Sequence, residues 1–319
     1  STPLTLSTGG ATVDATVWIE AGTQANITLD GVDIASHVPF IIERNRDAAG
    51  NSVDPKTSVH ITLAAGSVNR LEAAASAYAP GIRCGEDTVL VIDDDVTNVD
   101  VDGAPVDVTG GRIKEGTVYV DRDGAVRTAG ADGPTTNISN LESRNPGSLE
   151  VQGGYLCAAI GGSDWETTGE MTFNGGSITA RAVGDGAYGF GAGIGGSHGG
   201  HGTTEDTWIT FNGGTVTAWA SYHGAGIGGG GPSYTTAGST SRENNYRFPD
   251  AKLSDRLPGN GFGANSGTPV HSKVCAGNLR FNGGVVTPIS ADHGNAIGQG
   301  CFCWNVERKI VITSGTIMP

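Results

Sequence analysis

The chain is poor in positive charge and has no long apolar run, and each shortage excludes a class of protein. Its 319 residues carry 19 Lys and Arg against 33 Asp and Glu, a formal net charge of -14. A surface of that sign repels nucleic-acid backbones and anionic membranes, so neither is expected as a partner. No apolar run is long enough to span a bilayer, so membrane insertion is not expected. No signal peptide is seen, and Ser1-Thr2-Pro3 is typical of a mature or trimmed start.

Cysteine is also scarce, with five residues and no Cys-x-x-Cys pair. The Cys301-Phe302-Cys303 spacing does not suit a zinc knuckle, so a cysteine metal site is not expected. Two interpretations stay open: the cysteines are small buried apolar residues, or Cys275 forms a disulfide with Cys301 or Cys303, because their segments flank one repeat. The odd count leaves at least one thiol free in either case.

What the sequence has in abundance is glycine, and many of its 53 glycines lie in repeats. Three units share Phe-Asn-Gly-Gly, then a short alternating stretch, then an isoleucine among glycines and alanines. The isoleucines of the three units are Ile194, Ile227 and Ile297. This repetition predicts a stacked solenoid, which defines the architecture without naming a ligand.

Each repeat predicts three short strands joined by three corners. In the first unit, Met171 and Phe173 point inward while Thr172 points outward. The Asn-Gly-Gly that follows predicts a sharp turn, and a second alternating strand then leads to Ile194 in the third. The repeat therefore predicts an all-β fold, a single-stranded parallel β-helix, right-handed by the general chirality of parallel crossovers.

Stacking at about 4.8 Å brings equivalent side chains of successive repeats together. It predicts an internal aromatic ladder, an internal aliphatic ladder, and an asparagine ladder at one corner that satisfies backbone polar groups. The three ladders consist of Phe173, Phe211 and Phe281, of Ile194, Ile227 and Ile297, and of Asn174, Asn212 and Asn282.

The predicted organisation is an N-terminal cap or first strand over residues 1–25 and a parallel β-helix over residues 26–317. Two stretches depart from the repeat. One is an irregular insert at about 93–147 with the pattern of hairpins, and the other is a long loop at 230–278. Loops longer than about 15 residues in a compact domain are usually functional or disordered.

On these repeats the chain resembles the right-handed parallel β-helix proteins of the pectate-lyase-like group. It is most similar to secreted proteins of gut-type bacteria that carry GAGIGGG repeats, here Gly224-Ala225-Gly226-Ile227-Gly228-Gly229-Gly230. The resemblance implies an extracellular or cell-surface location in a bacterium. The group includes glycoside hydrolases, polysaccharide lyases, glycosyl transferases and non-catalytic glycan binders. The resemblance therefore does not indicate which reaction, if any, the chain catalyses.

The outward positions of the third strand are predicted to be almost bare. Gly161, Gly195, Gly228 and Gly298 stack there with Arg83 in line, and such a glycine floor would let a ligand approach the backbone. The alternative is that glycine only relieves a tight bend. Loops of variable length follow this strand and predict one wall of a cleft, and the connection before the strand predicts the opposite wall.

Carboxylates and histidines on two walls would supply the general acid and base that glycosidic cleavage needs. The candidate catalytic residues are Asp164, Glu166, Glu205, Asp206, Asp292, His223 and His293. The candidate substrate-binding residues are Arg83, Trp165, Tyr188, Trp219, Tyr222 and Trp304. A plainer interpretation stays open for the polar ones, because Asp and His in turns often bind only the local backbone.

The resulting expectation is a secreted carbohydrate-active enzyme, a glycoside hydrolase or glycosyl-transferring enzyme before a polysaccharide lyase, that acts on an oligo- or polysaccharide. The alternative is a non-catalytic glycan-binding or adhesin module, which needs the aromatic residues but no acid and base. No cofactor is expected, with Ca²⁺ at Asp93-Asp94-Asp95, Asp100 and Asp102 as the alternative. Other domains of a longer chain are further candidate partners.

Overall fold

The computed structural model describes residues 3–94, 108–109, 112–113, 116, 118–120, 126–130, 146–183, 190–198, 200–204, 206–231, 277–290, 294–300 and 309–318. Within these ranges the chain is all-β and has no helix. Most strands belong to three parallel sheets, which we name A, B and C. In the same ranges no helix is long and apolar enough to cross a membrane.

Each sheet runs along the molecule from one end to the other, with its strands side by side. In spatial order, sheet A contains β1 (Leu4–Leu6), β3 (Gln24–Leu29), β6 (Thr57–Leu63), β9 (Thr88–Asp94), β16 (Glu170–Phe173), β19 (Trp208–Phe211), β22 (Asn278–Phe281) and β25 (Ile310–Ile312). Sheet B contains β4 (Asp33–Ser36), β7 (Val68–Ala73), β14 (Ser148–Gly153), β17 (Ser177–Ala182), β20 (Thr215–Trp219), β23 (Val285–Ile289) and β26 (Thr316–Ile317). Sheet C contains β2 (Val17–Ile19), β5 (Phe40–Ile42), β8 (Ile82–Cys84), β15 (Ile160–Gly161), β18 (Ile194–Gly195), β21 (Ile227–Gly228) and β24 (Ile297–Gly298).

The chain visits sheets A, B and C in turn, and we call each such pass a rung. Strands β16, β17 and β18 form one rung, and β19, β20 and β21 form the next. Equivalent strands of neighbouring rungs pair in parallel, and β6 and β9 alternate buried with partly exposed residues along their whole length. This period of two sends one apolar set inward from each sheet. The arrangement is consistent with a parallel β-helix.

The predicted aromatic ladder is confirmed. The ring centroids of Phe173 and Phe211 are 5.0 Å apart, those of Phe211 and Phe281 are 5.1 Å apart, and both pairs are stacked. The register of sheet A extends this ladder into a column that crosses every rung. Its members are Leu4, Ile27, Ile61, Ile92, Phe173, Phe211, Phe281 and Ile312. The aliphatic ladder of sheet C is confirmed by the pairing of its isoleucines.

The asparagine ladder at the corner between sheets A and B is also confirmed, and it has a direction. The Nδ2 of Asn282 donates to the Oδ1 of Asn212 at 2.9 Å, and the Nδ2 of Asn212 donates to the Oδ1 of Asn174 at 2.8 Å. Asn174 donates in turn to the Asp93 carboxylate at 3.4 Å, and the Thr313 hydroxyl donates to Asn282 at 2.9 Å. The ladder therefore ends on a carboxylate where the irregular insert begins.

The structure changes the interpretation of the glycine floor. Gly161, Gly195, Gly228 and Gly298 pair in register as predicted, but all four are buried, and their φ angles lie between 131° and 141°. That range is strained for residues with a Cβ. A Cβ on Gly195 would also overlap with the carbonyl oxygen of Gly228. The glycines are therefore required by the backbone, which agrees with the plainer of the two interpretations.

Three predicted regions have different outcomes: the N-terminal cap, the irregular insert and the long loop. Leu4–Leu6 and Val17–Ile19, within the predicted N-terminal cap, add a strand to sheet A and to sheet C. The insert contains two antiparallel hairpins, β10–β11 (Val108–Thr109 and Arg112–Ile113) and β12–β13 (Val118–Val120 and Val126–Thr128). It lies between β9 and β14, at the corner where three later rungs have their Asn-Gly-Gly turn. The predicted long loop lies outside the described residues apart from its two ends.

Candidate functional site

The four loops of variable length that the sequence predicts each join the end of a sheet C strand to the start of a sheet A strand. They span residues 162–169, 196–207, 229–277 and 299–309, and we call them the C–A loops. The shorter connections that enter sheet C from sheet B are called the B–C corners. The C–A loops and the B–C corners both flank the buried glycine column. Their side chains therefore determine which groups a ligand would meet on this side of the molecule.

A buried ion cluster lies beneath the first long C–A loop. Arg83 donates to both oxygens of Glu166, from Nε and Nη2, at 3.0 Å each, and Arg44 Nη1 adds a contact of 3.3 Å. The side chains of Arg83, Arg44 and Glu166 are only 3%, 5% and 8% exposed. A bidentate pair of this kind is both strong and directional.

The electrostatics of Glu166 do not suit the catalytic role predicted from the sequence. Burial alone would raise the pKa of this carboxyl, but the charges of Arg83 and Arg44, with hydrogen bonds from Arg83 and the Ser163 amide, outweigh it. The pKa of Glu166 is therefore lowered from 4.5 to about 2. At neutral pH it has no proton to give, and both of its oxygens are already occupied. Glu166 instead ties its loop to Arg83 and Arg44, and we call these three residues the clamp.

The clamp shapes a short turn that carries two other predicted site residues. Glu166 accepts a hydrogen bond from the Ser163 amide at 3.0 Å, and its own amide donates to the Ser163 carbonyl at 2.8 Å. Asp164 and Trp165 lie at the tip of this turn, and Trp165 has a φ of 66°. Positive φ in a bulky residue is strained and persists only where the surroundings impose it.

Asp164 is paired with a histidine of the next C–A loop. The Oδ1 of Asp164 lies 2.8 Å from the Nδ1 of His198, with side chains that are 12% and 7% exposed. The His198 and Trp165 rings make an edge-type contact with centroids 4.8 Å apart, and the Trp165 amide donates to the His198 carbonyl at 2.9 Å. The carboxylate, the imidazole and the indole are thus held together by two neighbouring rungs.

A row of rings continues from His198 to the opposite flank. The ring centroid of Phe190 lies 5.0 Å from that of His198 and 4.9 Å from that of His223, on which Phe190 is stacked. Tyr222 and His223 make a T-shaped contact with centroids 4.4 Å apart. Phe190 and His223 are buried. Two predicted residues, His223 and Tyr222, therefore belong to the same cluster as His198, but His223 is packed between rings.

The two predicted walls of the cleft meet over this part of sheet C. The His198 amide donates to the Leu156 carbonyl at 2.9 Å, and the Gly231 amide donates to the Phe190 carbonyl at 2.7 Å. In both cases a C–A loop binds the B–C corner of the rung before it. The Ser163 hydroxyl makes the same link to the Tyr78 carbonyl at 3.4 Å. Among the described residues, these bonds cover the glycine column and leave no open groove above it.

Backbone strain is concentrated around this region. Three non-glycine residues in the described ranges have positive φ, namely Asp87 at 67°, Leu156 at 64° and Trp165 at 66°. Leu156 accepts the bond from His198, and Asp87 binds Arg46 at 2.7 Å beside the ion cluster. Strained residues gather at sites where the surroundings over-determine the backbone, often functional ones.

The remaining predicted residues are not brought into this cluster by the described structure. Trp219 lies on the outer face of sheet B, 37% exposed, with the Arg181 guanidinium 5.5 Å from its ring centroid. Asp206 is exposed on the second C–A loop. The other five lie outside the described residues: Glu205, Asp292, His293, Tyr188 and Trp304.

Sequence reasoning missed Arg44, which shares Glu166 with Arg83. The sequence gives only a weak signal for Arg44. This residue follows β5, in which Ile41 pairs with Arg83 of the next rung. An arginine one rung behind another, beneath a loop with a carboxylate, is recognisable only once the register is known.

Cysteine and metal predictions are answered only in part. Cys84 and Cys157 are free and buried, and burial raises the pKa of the Cys84 thiol to about 12 and that of Cys157 well above 9.0. Both are therefore poor nucleophiles. Cys275, Cys301 and Cys303, like Asp95, Asp100 and Asp102, lie outside the described residues. Among the residues that are described, no group of three or more His, Cys, Asp or Glu is arranged to hold a metal ion.

Comparison of the chain with protein-family models, with curated proteins and with solved structures finds no match.

Proposed function

We propose that this chain is a secreted, right-handed, single-stranded parallel β-helix that acts on a carbohydrate at the turn bearing Asp164 and Trp165. The observation that carries the proposal is the Asp164–His198 pair at 2.8 Å, with the Trp165 ring beside it. A carboxylate coupled to an imidazole moves protons near neutral pH. An indole offers an apolar face to a sugar ring.

The roles differ from those that the sequence suggests. Asp164 and His198 form the acid–base pair, because Asp164 is partly exposed and His198 is the group it directly contacts. Trp165 binds the sugar. Glu166 holds the turn, since its low pKa and its two arginine partners leave it no proton-transfer role.

The test is a panel of plant and host glycans incubated with the purified chain, with products followed by mass spectrometry. Asp164→Asn and His198→Gln are expected to lower turnover by 100-fold or more, the usual contribution of a general acid or base being about 10² to 10⁴. Asp30→Asn, an exposed carboxylate at an A–B corner, is the matched control and keeps full activity. Full turnover in both site variants would overturn the assignment.

A second function is supported by a different observation. The links between His198 and Leu156 and between Gly231 and Phe190 close the roof over sheet C, so a long substrate meets no open groove in this described part of the chain. A glycan-binding or adhesin module needs only the exposed part of Trp165 and the polar groups around it. For such a module, the chain is expected to be retained on a glycan of the same panel without forming products. Trp165→Ala abolishes this retention, and Asp164→Asn, like the wild type, gives no cleavage products.

A further inference from the structure

The outer face of sheet B carries a row of side chains that the site at the Asp164 turn does not use. Glu72, Gln152, Arg181 and Trp219 lie on β7, β14, β17 and β20, and each is in register with the next. All four point away from the core, because the residue before each of them is buried. Neighbouring strands are about 4.8 Å apart, so the four side chains follow the direction in which the rungs stack. We call them the sheet B row.

Contacts within and beside the sheet B row hold its polar groups in place. The Nε2 of Gln152 donates to the Oε1 of Glu72 at 3.0 Å, and Arg70 forms an ion pair with the other oxygen of Glu72. The Arg181 guanidinium lies 5.5 Å from the Trp219 ring centroid, which is within the range of a cation–π contact. Glu72 and Gln152 are partly exposed, and Arg181 and Trp219 are exposed. The four side chains are therefore ordered by contacts and still open to solvent.

The rest of this face is rich in hydroxyl groups and poor in exposed apolar groups. Thr179, Thr217 and Thr287 pair in register beside the row, and none of them is buried. In the described part of the face, the large apolar residues that are exposed are Val68 on β7 and Trp219 on β20, three strands apart. A protein partner would need an apolar patch at the centre of its contact, so this face suits a protein poorly.

The charges of this face cancel. On β7, β14, β17 and β20, the outward charged residues are Arg70 and Arg181 against Glu72 and Glu150. The whole chain, by contrast, has a formal net charge of -14. A neutral patch on an acidic protein offers an anionic or cationic ligand no net attraction of its own. The ligand that suits it is uncharged and rich in groups that form hydrogen bonds.

We propose that the sheet B row is a second binding surface, for a neutral, unbranched oligosaccharide or polysaccharide that lies across the strands. One sugar ring stacks on the Trp219 indole. Hydroxyl groups of the following sugars bond to the Arg181 guanidinium and to Gln152, whose bond to Glu72 leaves one N–H and its carbonyl oxygen for a ligand. Each rung supplies one such side chain, so consecutive sugars of an extended glycan each meet a new rung. The surface shares no residue with the Asp164 turn and does not depend on activity there.

The test is electrophoresis of the purified chain through native gels that contain a soluble polysaccharide. The polysaccharides are a mannan, a xylan and a β-glucan, with polygalacturonate as the charged comparison. We expect at least one neutral polymer to retard the wild type more strongly than polygalacturonate does. Trp219→Ala should raise the dissociation constant about tenfold or more, because a covered indole is a typical hot spot. Gln152→Ala should raise it about 2- to 10-fold, the effect of one lost hydrogen bond.

Trp208→Ala is the matched control, because this tryptophan on the outer face of sheet A also lies beside an arginine, with the Arg280 guanidinium 4.3 Å from its ring centroid. It should be retarded like the wild type, and so should Asp164→Asn, which separates retention from turnover. Trp219→Ala should unfold at the same denaturant concentration as the wild type.

Three outcomes would overturn the proposal. They are a wild type that no neutral polymer retards, a Trp219→Ala variant that is retarded like the wild type, and a stronger retardation by polygalacturonate that Trp219→Ala removes. In the second case, a loss of retardation in Trp165→Ala would assign the binding to the Asp164 turn instead.

Discussion

Two connections of the same rungs, the corner between sheets A and B and the C–A loop, are stabilised in different ways. The corner between sheets A and B repeats Asn-Gly-Gly in three rungs, and its side chains bond to their own equivalents above and below. The C–A loops differ in length and residue type from rung to rung, and they bond across to different elements, as Glu166 does to Arg44 and Arg83. Repetition stabilises the three parallel sheets through identical neighbours. The irregular side uses individual contacts, which is where a site can be specified.

Removing the Glu166 carboxylate of the clamp should give the largest difference in stability between the two kinds of connection. Glu166→Ala should lower the free energy of unfolding by about 3–5 kcal/mol, because two buried arginines lose their common partner. Asp206→Ala, an exposed carboxylate in the next C–A loop, should change it by no more than about 0.5 kcal/mol. Denaturant titration of both variants gives the values. A loss below about 1 kcal/mol for Glu166→Ala would mean that solvent readily replaces the carboxylate.

The pH dependence of stability tests the same clamp. The folded pKa of Glu166, about 2, lies below the ordinary value of 4.5, so its ionised form stabilises the fold. The gain is complete above about pH 4.5 and is lost as the pH falls toward 2, and it amounts to about 3 kcal/mol. The difference in unfolding free energy between wild type and Glu166→Gln, which cannot titrate, should stay constant at higher pH and shrink across that window. A difference that does not change with pH contradicts the ion-pair account.

The glycine column under the loops is the next test. Gly195→Ala should destabilise the protein by about 1–3 kcal/mol from its φ of 132°, and by more because the new Cβ overlaps the Gly228 carbonyl. Gly298→Ala is the control, since its φ of 131° is nearly the same but no atom lies closer than 3.7 Å to the added Cβ. The difference between the two unfolding free energies measures the close approach alone. Equal losses would show that the backbone shifts to accept the methyl group.

The regular corner should give the smallest effect. Asn212→Ala removes one bond to Asn174 and one from Asn282, and each typical bond contributes about 0.5–1.5 kcal/mol. We expect a loss of about 1–2 kcal/mol by denaturant titration. Asn295→Ala, which removes an exposed side-chain amide that donates to the Gln299 carbonyl four residues away, should lose less. A larger loss of unfolding free energy for Asn295→Ala than for Asn212→Ala would mean that the asparagine ladder contributes little to stability.

The sequence predicts the repetitive part well because its signals are local. Alternation within β16 places Phe173 inside, and the recurrence of Phe-Asn-Gly-Gly places Phe211 above it, as the stacked rings confirm. The insert between sheets A and B is predicted as hairpins for the same reason, since each hairpin is a short-range structure.

The candidate site is predicted less completely because its contacts are distant in sequence. Glu166 lies 83 residues from Arg83 and 122 from Arg44, and nothing local to the three signals that they meet. The glycine column is predicted as a floor, but its burial depends on bonds between one rung's loop and the preceding rung's corner. Those bonds follow from loop shape, which residue type alone does not determine.

The shared column of Phe173 and Phe211 has a consequence for how such a protein changes length. Asn174 and Asn212 also occupy equivalent positions, so losing the stretch from Phe173 to Thr210 would join Thr172 to Phe211 with every later side chain still facing the same way. Duplicating that stretch would do the same. A single residue gained within a strand would instead turn its core side chains outward. We therefore expect relatives of this chain to differ by whole repeats.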